Sequence, residues 1–203
     1  MKFKSLLPLV CIFFFQVNAK AQAKVLGECS LQFEVSQQKN NEWVPLGQKK
    51  VWVKGSQCKT SLITPLLTQT LIFDTQESIA YVIKLMGEGK FLQEITYPPT
   101  GLPTLVSMKE MPSDSAVVIL GYTCKKMQLI WSDGMVYELL YTPEVITSVS
   151  AFELAFKEVP GLVLSYSILN KEGIYFKYTA NQIDLSPITL NQFLINKIDY
   201  QIL

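Results

Sequence analysis

Three carboxylates, Asp133, Glu138 and Glu144, come nearest in type and spacing to the paired acids that cleave glycosides. Each has a plainer role. Asp133 precedes Gly134 and suits a hairpin turn, Glu138 falls on the solvent side of a strand, and Glu144 follows Pro143 in a loop. Composition closes off other chemistry. The chain has no histidine, and all 18 of its Lys+Arg residues are lysine. A Ser-His-Asp or Cys-His couple and an HExxH zinc motif therefore cannot be built. Nor can a bidentate arginine clamp for phosphate or carboxylate. The sequence contains no GxSxG elbow, P-loop or GxGxxG. Cys29, Cys58 and Cys124 lie outside any CxxC. They fit either one disulfide with a thiol left over or three buried thiols, and carry no metal or redox role. We expect no catalytic residue, no metal ligand and no cofactor.

The first residues address the compartment. Lys2 and Lys4 precede an apolar run, Leu6 to Phe15, with small residues at Ala19, Ala21 and Ala23. That order is a secretory signal peptide over 1–23, cleaved after Ala19, Ala21 or Ala23, and the run is too short to span a bilayer. Cys11 sits inside the apolar run after Val10 rather than at a lipidation site. Residues 24–203 then form one exported domain, periplasmic or secreted. Losing Lys2 and Lys4 takes the formal charge from +1 to about −1, which argues against nucleic acid and against electrostatic membrane binding. Lys49-Lys50 and Lys125-Lys126 are neighbours on strands, so each pair splits between two faces and makes no basic patch.

What must position these residues is a succession of strands. Leu31, Phe33 and Val35 alternate with polar residues over Glu28 to Val35, and a polar loop follows from Ser36 to Glu42. Gln48 to Lys54 and Gln57 to Ile63 pair across Gly55-Ser56. Thr68 to Phe73 is followed by a hairpin of Ile79 to Met86 and Lys90 to Thr96. Tyr97 to Asp114 carries five prolines and glycines, a connection between two halves of one sheet or a flap over its face, with two helical turns over Thr104 to Met111. Ser115 to Leu120 precedes a hairpin of Cys124 to Trp131 and Met135 to Tyr141. A two-residue turn at Asp133-Gly134 would make that ribbon apolar on both faces. Ser148 to Lys157 reads as a short helix capped by Ser148. Leu162 to Ile168 and Ile174 to Ala180 form the next hairpin. A helical turn runs from Ser186-Pro187 through Phe193, and Ile195 to Ile202 is a last edge strand. The fold expected is mainly β: a curved antiparallel meander sheet or half-barrel of about 10–12 strands with one to three short helices.

Certain residues resemble a known family. Gly121-Tyr122-Thr123-Cys124-Lys125-Lys126, then Thr142-Pro143 after Tyr141, then Pro160-Gly161-Leu162 resemble the GLPGLI-type family of small secreted Bacteroidota proteins. Ile183 to Ile188 is similar to that family's closing region. Glu158-Val159 stand where the family has glycine and leucine before the proline. The resemblance implies structural roles for Gly121, Tyr122, Cys124, Lys125, Lys126, Thr142, Pro143, Pro160, Gly161 and Leu162, and no catalytic set. It also implies a likeness to the half-barrel of periplasmic lipoprotein carriers of the LolA/LolB type, which hold acyl chains in an apolar concavity.

The leading expectation is a non-enzymatic envelope protein that binds an apolar or lipid-like ligand on the concave face of the sheet, lined by Leu164, Tyr166, Phe176 and Tyr178. The alternatives are an interaction module with a self-filled core and, third, a carboxylate hydrolase. Nucleic acid and an integral membrane location are excluded from the expected partners and placement.

Overall fold

The computed structural model of the protein describes residues 22–112, 116–149, 152–170 and 172–203. The expected leader, apart from its last two residues, lies outside the described residues.

Period-two burial builds the first half. After short β1 (Lys24–Leu26), β2 (Glu28–Lys39) buries Cys29, Leu31, Phe33 and Val35 and leaves the residues between them wetter. It pairs with β3 (Glu42–Lys54) across Asn40-Asn41, both at positive φ, so most of the stretch expected to be a loop is strand. β4 (Gln57–Ile63), β5 (Thr68–Asp74), β6 (Ile79–Met86) and β7 (Gly89–Thr96) follow as a meander. The second half comprises β8 (Leu105–Met111), β9 (Val117–Ile119), β10 (Tyr122–Trp131), β11 (Val136–Thr142), β12 (Val145–Thr147), β13 (Leu162–Leu169), β14 (Tyr175–Asp184) and β15 (Gln201–Ile202). Three single 3-10 turns complete the described residues, at Leu154–Phe156, Leu190–Gln192 and Lys197–Asp199.

Thirteen strands make one sheet in the order β15-β7-β6-β5-β4-β3-β2-β14-β13-β11-β10-β8, with β9 beside β10; β1 and β12 pair separately. The chain starts in the middle, runs outward to β7, crosses to the far edge at β8, and works back until β14 zips against β2. Pairs in the large sheet are antiparallel except β15 with β7, and β1 runs parallel to β12.

That crossing forces curvature. Ten strand-to-strand steps separate β7 from β8, about 48 Å in a flat sheet. Nine Cα steps join Thr96 to Leu105, which reach about 31 Å at most. The two rims must therefore curl toward each other, with Tyr97 to Thr104 strung across the opening. The result is a large curved antiparallel sheet, not closed into a barrel.

Each face is covered. The concave face carries the main core, in which Phe33, Val51, Val53, Leu129, Leu139, Leu164 and Tyr166 meet Val145, Val149, Phe152, Phe156 and Val159 from the segment between β11 and β13. The convex face of β3 to β7 carries a smaller core of Ile72, Ile83 and Leu92 under Phe193, with Trp52 and Tyr81 against it.

Two expected helices are corrected. Leu105 to Met111 is strand: spacing along one helical face lost to β10, whose outer edge needs partners for its N–H and C=O groups. The helix over Ser148 to Lys157 reduces to the turn Leu154–Phe156. Val145, Ile146 and Thr147 are held extended against β1. Ser148 caps no helix: its amide donates to Leu26 O at 2.9 Å and its hydroxyl to Gly55 O at 2.7 Å. Near the C-terminus, the helical turn is confined to Leu190–Gln192 and the edge strand to Gln201–Ile202.

Candidate functional site

The segment Pro143 to Pro160 is an excursion pinched at its base. Thr142 and Leu162 are register partners, and Gly161 lies so close that a Cβ there would meet Thr142 O at 2.2 Å. Only glycine fits that approach. The excursion folds back over the concave face, where Phe152 seats against Phe33 at 6.0 Å and Phe156 against Tyr166 at 4.9 Å between ring centroids. We call it the plug.

Beside the plug, under the Tyr97 to Thr104 crossing, a cavity of about 770 Å³ remains open. Its inner wall is Phe73, Tyr97, Leu105, Trp131, Tyr137, Val149 and Leu154, with Ala155 on the plug side. Phe73 and Tyr97 stack at 4.3 Å. Glu77, Asp133, Lys157 and Glu158 stand at the exposed rim. Burial raises the Tyr97 phenol, with the Cys58 charge adding to it. Burial likewise raises Tyr137, and the nearby Asp133 carboxylate pushes it further. Both phenols are neutral at physiological pH, so the wall offers apolar faces and volume in the range of small-molecule sites.

The hairpin that forms one side of the cavity differs in register from expectation. Trp131 N donates to Met135 O and Gly134 N to Trp131 O, with Gly134 at φ 85°, which is a three-residue loop. Met127 therefore faces Leu139, and Leu129 faces Tyr137. One residue of slip flips a strand. The ribbon gathers Met127, Leu129, Tyr137 and Leu139 on its concave side, while the other side is mixed, with Gln128 opposite Glu138, Lys126 opposite Leu140 and the apolar pair Ile130 and Val136, so the expected two-faced apolar ribbon is corrected in register and keeps apolar residues on both faces.

The four residues expected to line a ligand space are placed elsewhere. Leu164 and Tyr166 are 0% and 2% exposed in packed core, and Tyr178 stacks on Tyr166 at 4.4 Å. Phe176 lies two residues before Tyr178 on β14, and none of the four lines the cavity. The filled space and the open space are two ends of one concavity. The missed residues carried a signal: a Pro-rich crossing over a sheet rim implies room beneath it, which brings in Tyr97, Leu105 and Trp131.

Also missed was Lys49, 5% exposed, in phase with Val51 and Val53. Its ammonium pairs with Glu153 of the plug, donates to the Tyr166 hydroxyl at 3.1 Å, and lies 5.6–5.7 Å from the rings of Phe152, Tyr166 and Tyr178. Burial pushes Lys49 down to about 7, against a smaller raising influence of Cys58. The Glu153 carboxylate in contact also favours the charged form.

The residues that carried the resemblance lie in β10, at the end of β11 and at the base of the plug. Gly121, at φ 84°, makes the turn into β10, where Tyr122 and Cys124 begin the strand. Lys125 pairs with Glu110 at 2.9 Å and Lys126 with Glu138 at 3.2 Å. Pro143 ends β11, and Pro160-Gly161-Leu162 closes the plug onto β13.

The carboxylates are not brought together as an acid–base pair. Asp133 accepts the Met135 amide at 3.1 Å, Glu144 accepts the Thr123 amide at 3.2 Å, and Glu138 holds Lys126. Cys29 and Cys58 both face Val53 from opposite sides, two strands apart, beyond the reach of a disulfide. All three cysteines are free and buried. Burial raises each thiol, Cys29 to about 11. Among the described residues no group of three His, Cys, Asp or Glu is placed to hold a metal ion, and no helix is long and apolar enough to cross a membrane.

No protein-family model matches this sequence, and no curated protein matches it. Among solved structures the chain is similar in fold to PNGF-II, at 14% identity and a TM-score of 0.50 over 86% of its length. It spans about a third, 31%, of that chain. It is similar to MucB at 10% identity and a TM-score of 0.45, covering 87% of this chain and 60% of MucB. A LolA superfamily protein from Nitrosomonas europaea matches at 10% identity and a TM-score of 0.38, with 84% of this chain and 91% of that one covered.

Proposed function

We propose that the protein is an exported, non-enzymatic binding protein that holds an apolar or lipid-like ligand between the curved sheet and its plug. The observation that carries this reading is the cavity of about 770 Å³ walled by Phe73, Tyr97, Leu105, Trp131, Tyr137 and Leu154. A core that simply filled itself would leave no such space, since protein interiors close-pack. Export rests on the leader at 1–23, and membership of the GLPGLI-type secreted proteins on Gly121 to Lys126, Thr142-Pro143 and Pro160 to Leu162. The alternative, an interaction module, draws on the solid packing around Tyr166; it predicts no ligand at all.

A titration with a neutral apolar fluorophore, N-phenyl-1-naphthylamine, tests the reading against a variant that fills the space. Ala155 lines the cavity and is only partly buried, so Ala155→Phe can enter the void without displacing core. Wild type should bind with micromolar affinity, and Ala155→Phe at least tenfold more weakly at unchanged stability. Equal binding by both proteins would place the dye outside the cavity and overturn the assignment.

A further inference from the structure

The convex face changes character at Trp52. On its β4 side the indole packs against the small core of Ile72, Ile83, Leu92 and Phe193. On its β2 side a second pocket, of about 240 Å³, is lined by Ser30, Leu31, Gln32, Lys50, Trp52 and Gln182. Register explains how its polar groups gather. Ser30 lies opposite Trp52 and Gln32 opposite Lys50, so these four share one face. Plain alternation along β14 would set Asn181 opposite Gln32, but a bulge there brings Gln182 into that place. Bulges re-aim side chains in this way. The extra residue, Asn181, donates instead to Glu34 at 3.2 Å.

A lysine on a sheet is usually accompanied by an acid on a neighbouring strand. The acids around Lys50 are engaged elsewhere. Glu28 holds Lys54 at 2.6 Å, Glu34 accepts from Asn181, and Asp184 accepts the Ser186 amide at 2.8 Å. Among the described residues, the side chains of Ser30, Gln32, Lys50 and Gln182 make no hydrogen bond or ion pair. Their neighbours on the same face are satisfied: Ser61 and Thr70 bond each other at 2.7 Å, and Lys59 donates to Gln192 O at 3.0 Å. The pocket therefore offers one unpaired cation, two amides that both donate and accept, a hydroxyl and an indole. Amides and a hydroxyl suit the hydroxyls of a sugar, an indole suits the C–H face of its ring, and the ammonium favours one that carries a carboxylate.

From this geometry we propose that the pocket binds one residue of an acidic saccharide, a uronic acid. Its carboxylate lies on Lys50, its hydroxyls among Ser30, Gln32 and Gln182, and its ring against Trp52. The volume falls short of a drug-sized site and suits a single sugar ring. No lining residue is shared with the cavity beneath the Tyr97 to Thr104 crossing, so the two sites stand or fall separately.

Proton–nitrogen correlation spectra of the protein, titrated in turn with methyl β-glucuronide, methyl β-glucoside and acetate, separate the sugar from the charge. The glucuronide should bind with millimolar affinity, shifting the Gln32 amide and the Trp52 indole, and about fivefold more tightly than the glucoside. Acetate should leave those signals in place at the same concentrations. Lys50→Gln removes the charge and keeps a polar side chain, and should bring the glucuronide down to the affinity of the glucoside. Gln182→Ala, at an exposed position, should weaken both sugars about threefold. Silence with both sugars, a glucoside bound as tightly as the glucuronide, or an acetate response equal to the glucuronide's would overturn the assignment. So would a glucuronide affinity unchanged by Lys50→Gln or by Gln182→Ala.

Discussion

Lys49 holds an ammonium inside the main core, where a lone charge would be expensive, and the plug supplies its carboxylate. An unfolded lysine titrates near 10.4, whereas burial holds the folded one down at about 7. Between those values the unfolded chain binds more protons than the native one, so stability rises with pH, by up to about 1.4 kcal/mol per pH unit. The buried thiols act in the other sense. Their raised folded pKa values mean that above about pH 8.5 the unfolded chain releases protons the native chain keeps, and stability falls. The rise is therefore expected from pH 7 to about pH 8.5. Lys49→Met should flatten it and match or exceed wild-type stability at pH 7, by up to about 4 kcal/mol, because the freed Glu153 side chain is 39% exposed and can take water. Urea titrations at half-unit pH steps measure the slope, and an unchanged slope in the variant would assign it to another group.

At the scale of elements, the plug is set by its pinched base. Gly161→Ala drives a Cβ into Thr142 O and should cost about 1–3 kcal/mol. Gly27→Ala, where the added Cβ meets nothing within 4 Å, is the matched control and should be neutral or slightly stabilising. Thermal melts decide it: equal midpoints would mean the base is not tight. Strands were legible wherever local pattern and turn chemistry agreed. Gln57–Ile63 and Ile79–Met86 stand in the structure with the bounds their alternation implies. Elements decided by distant partners were not legible. Leu105 to Met111 has helical spacing and becomes strand because β10 offers an edge. The plug has helical spacing of Phe152 and Phe156 but is stretched between β1 and the concave core. The β10–β11 register turned on one loop residue, Ser132, and that residue brought Met127, Leu129, Tyr137 and Leu139 onto the same face. The open end of the concavity was hidden for the same reason, since it is enclosed by four segments far apart in sequence.

The whole molecule is a sheet too long to lie flat and tied too short to spread. Its crossing from β7 to β8 draws the rims together, its C-terminal tail covers the convex face of β3 to β7, and its plug fills one end of the concave face while leaving the other open. The central claim is that this opening carries a ligand. Native mass spectrometry of the protein purified from its own host tests that claim most directly. The account predicts a wild-type mass with a lipid-sized adduct, removed by raised collision energy and missing from Ala155→Phe. A clean apo mass for the wild type, or the same adduct on both proteins, would contradict it.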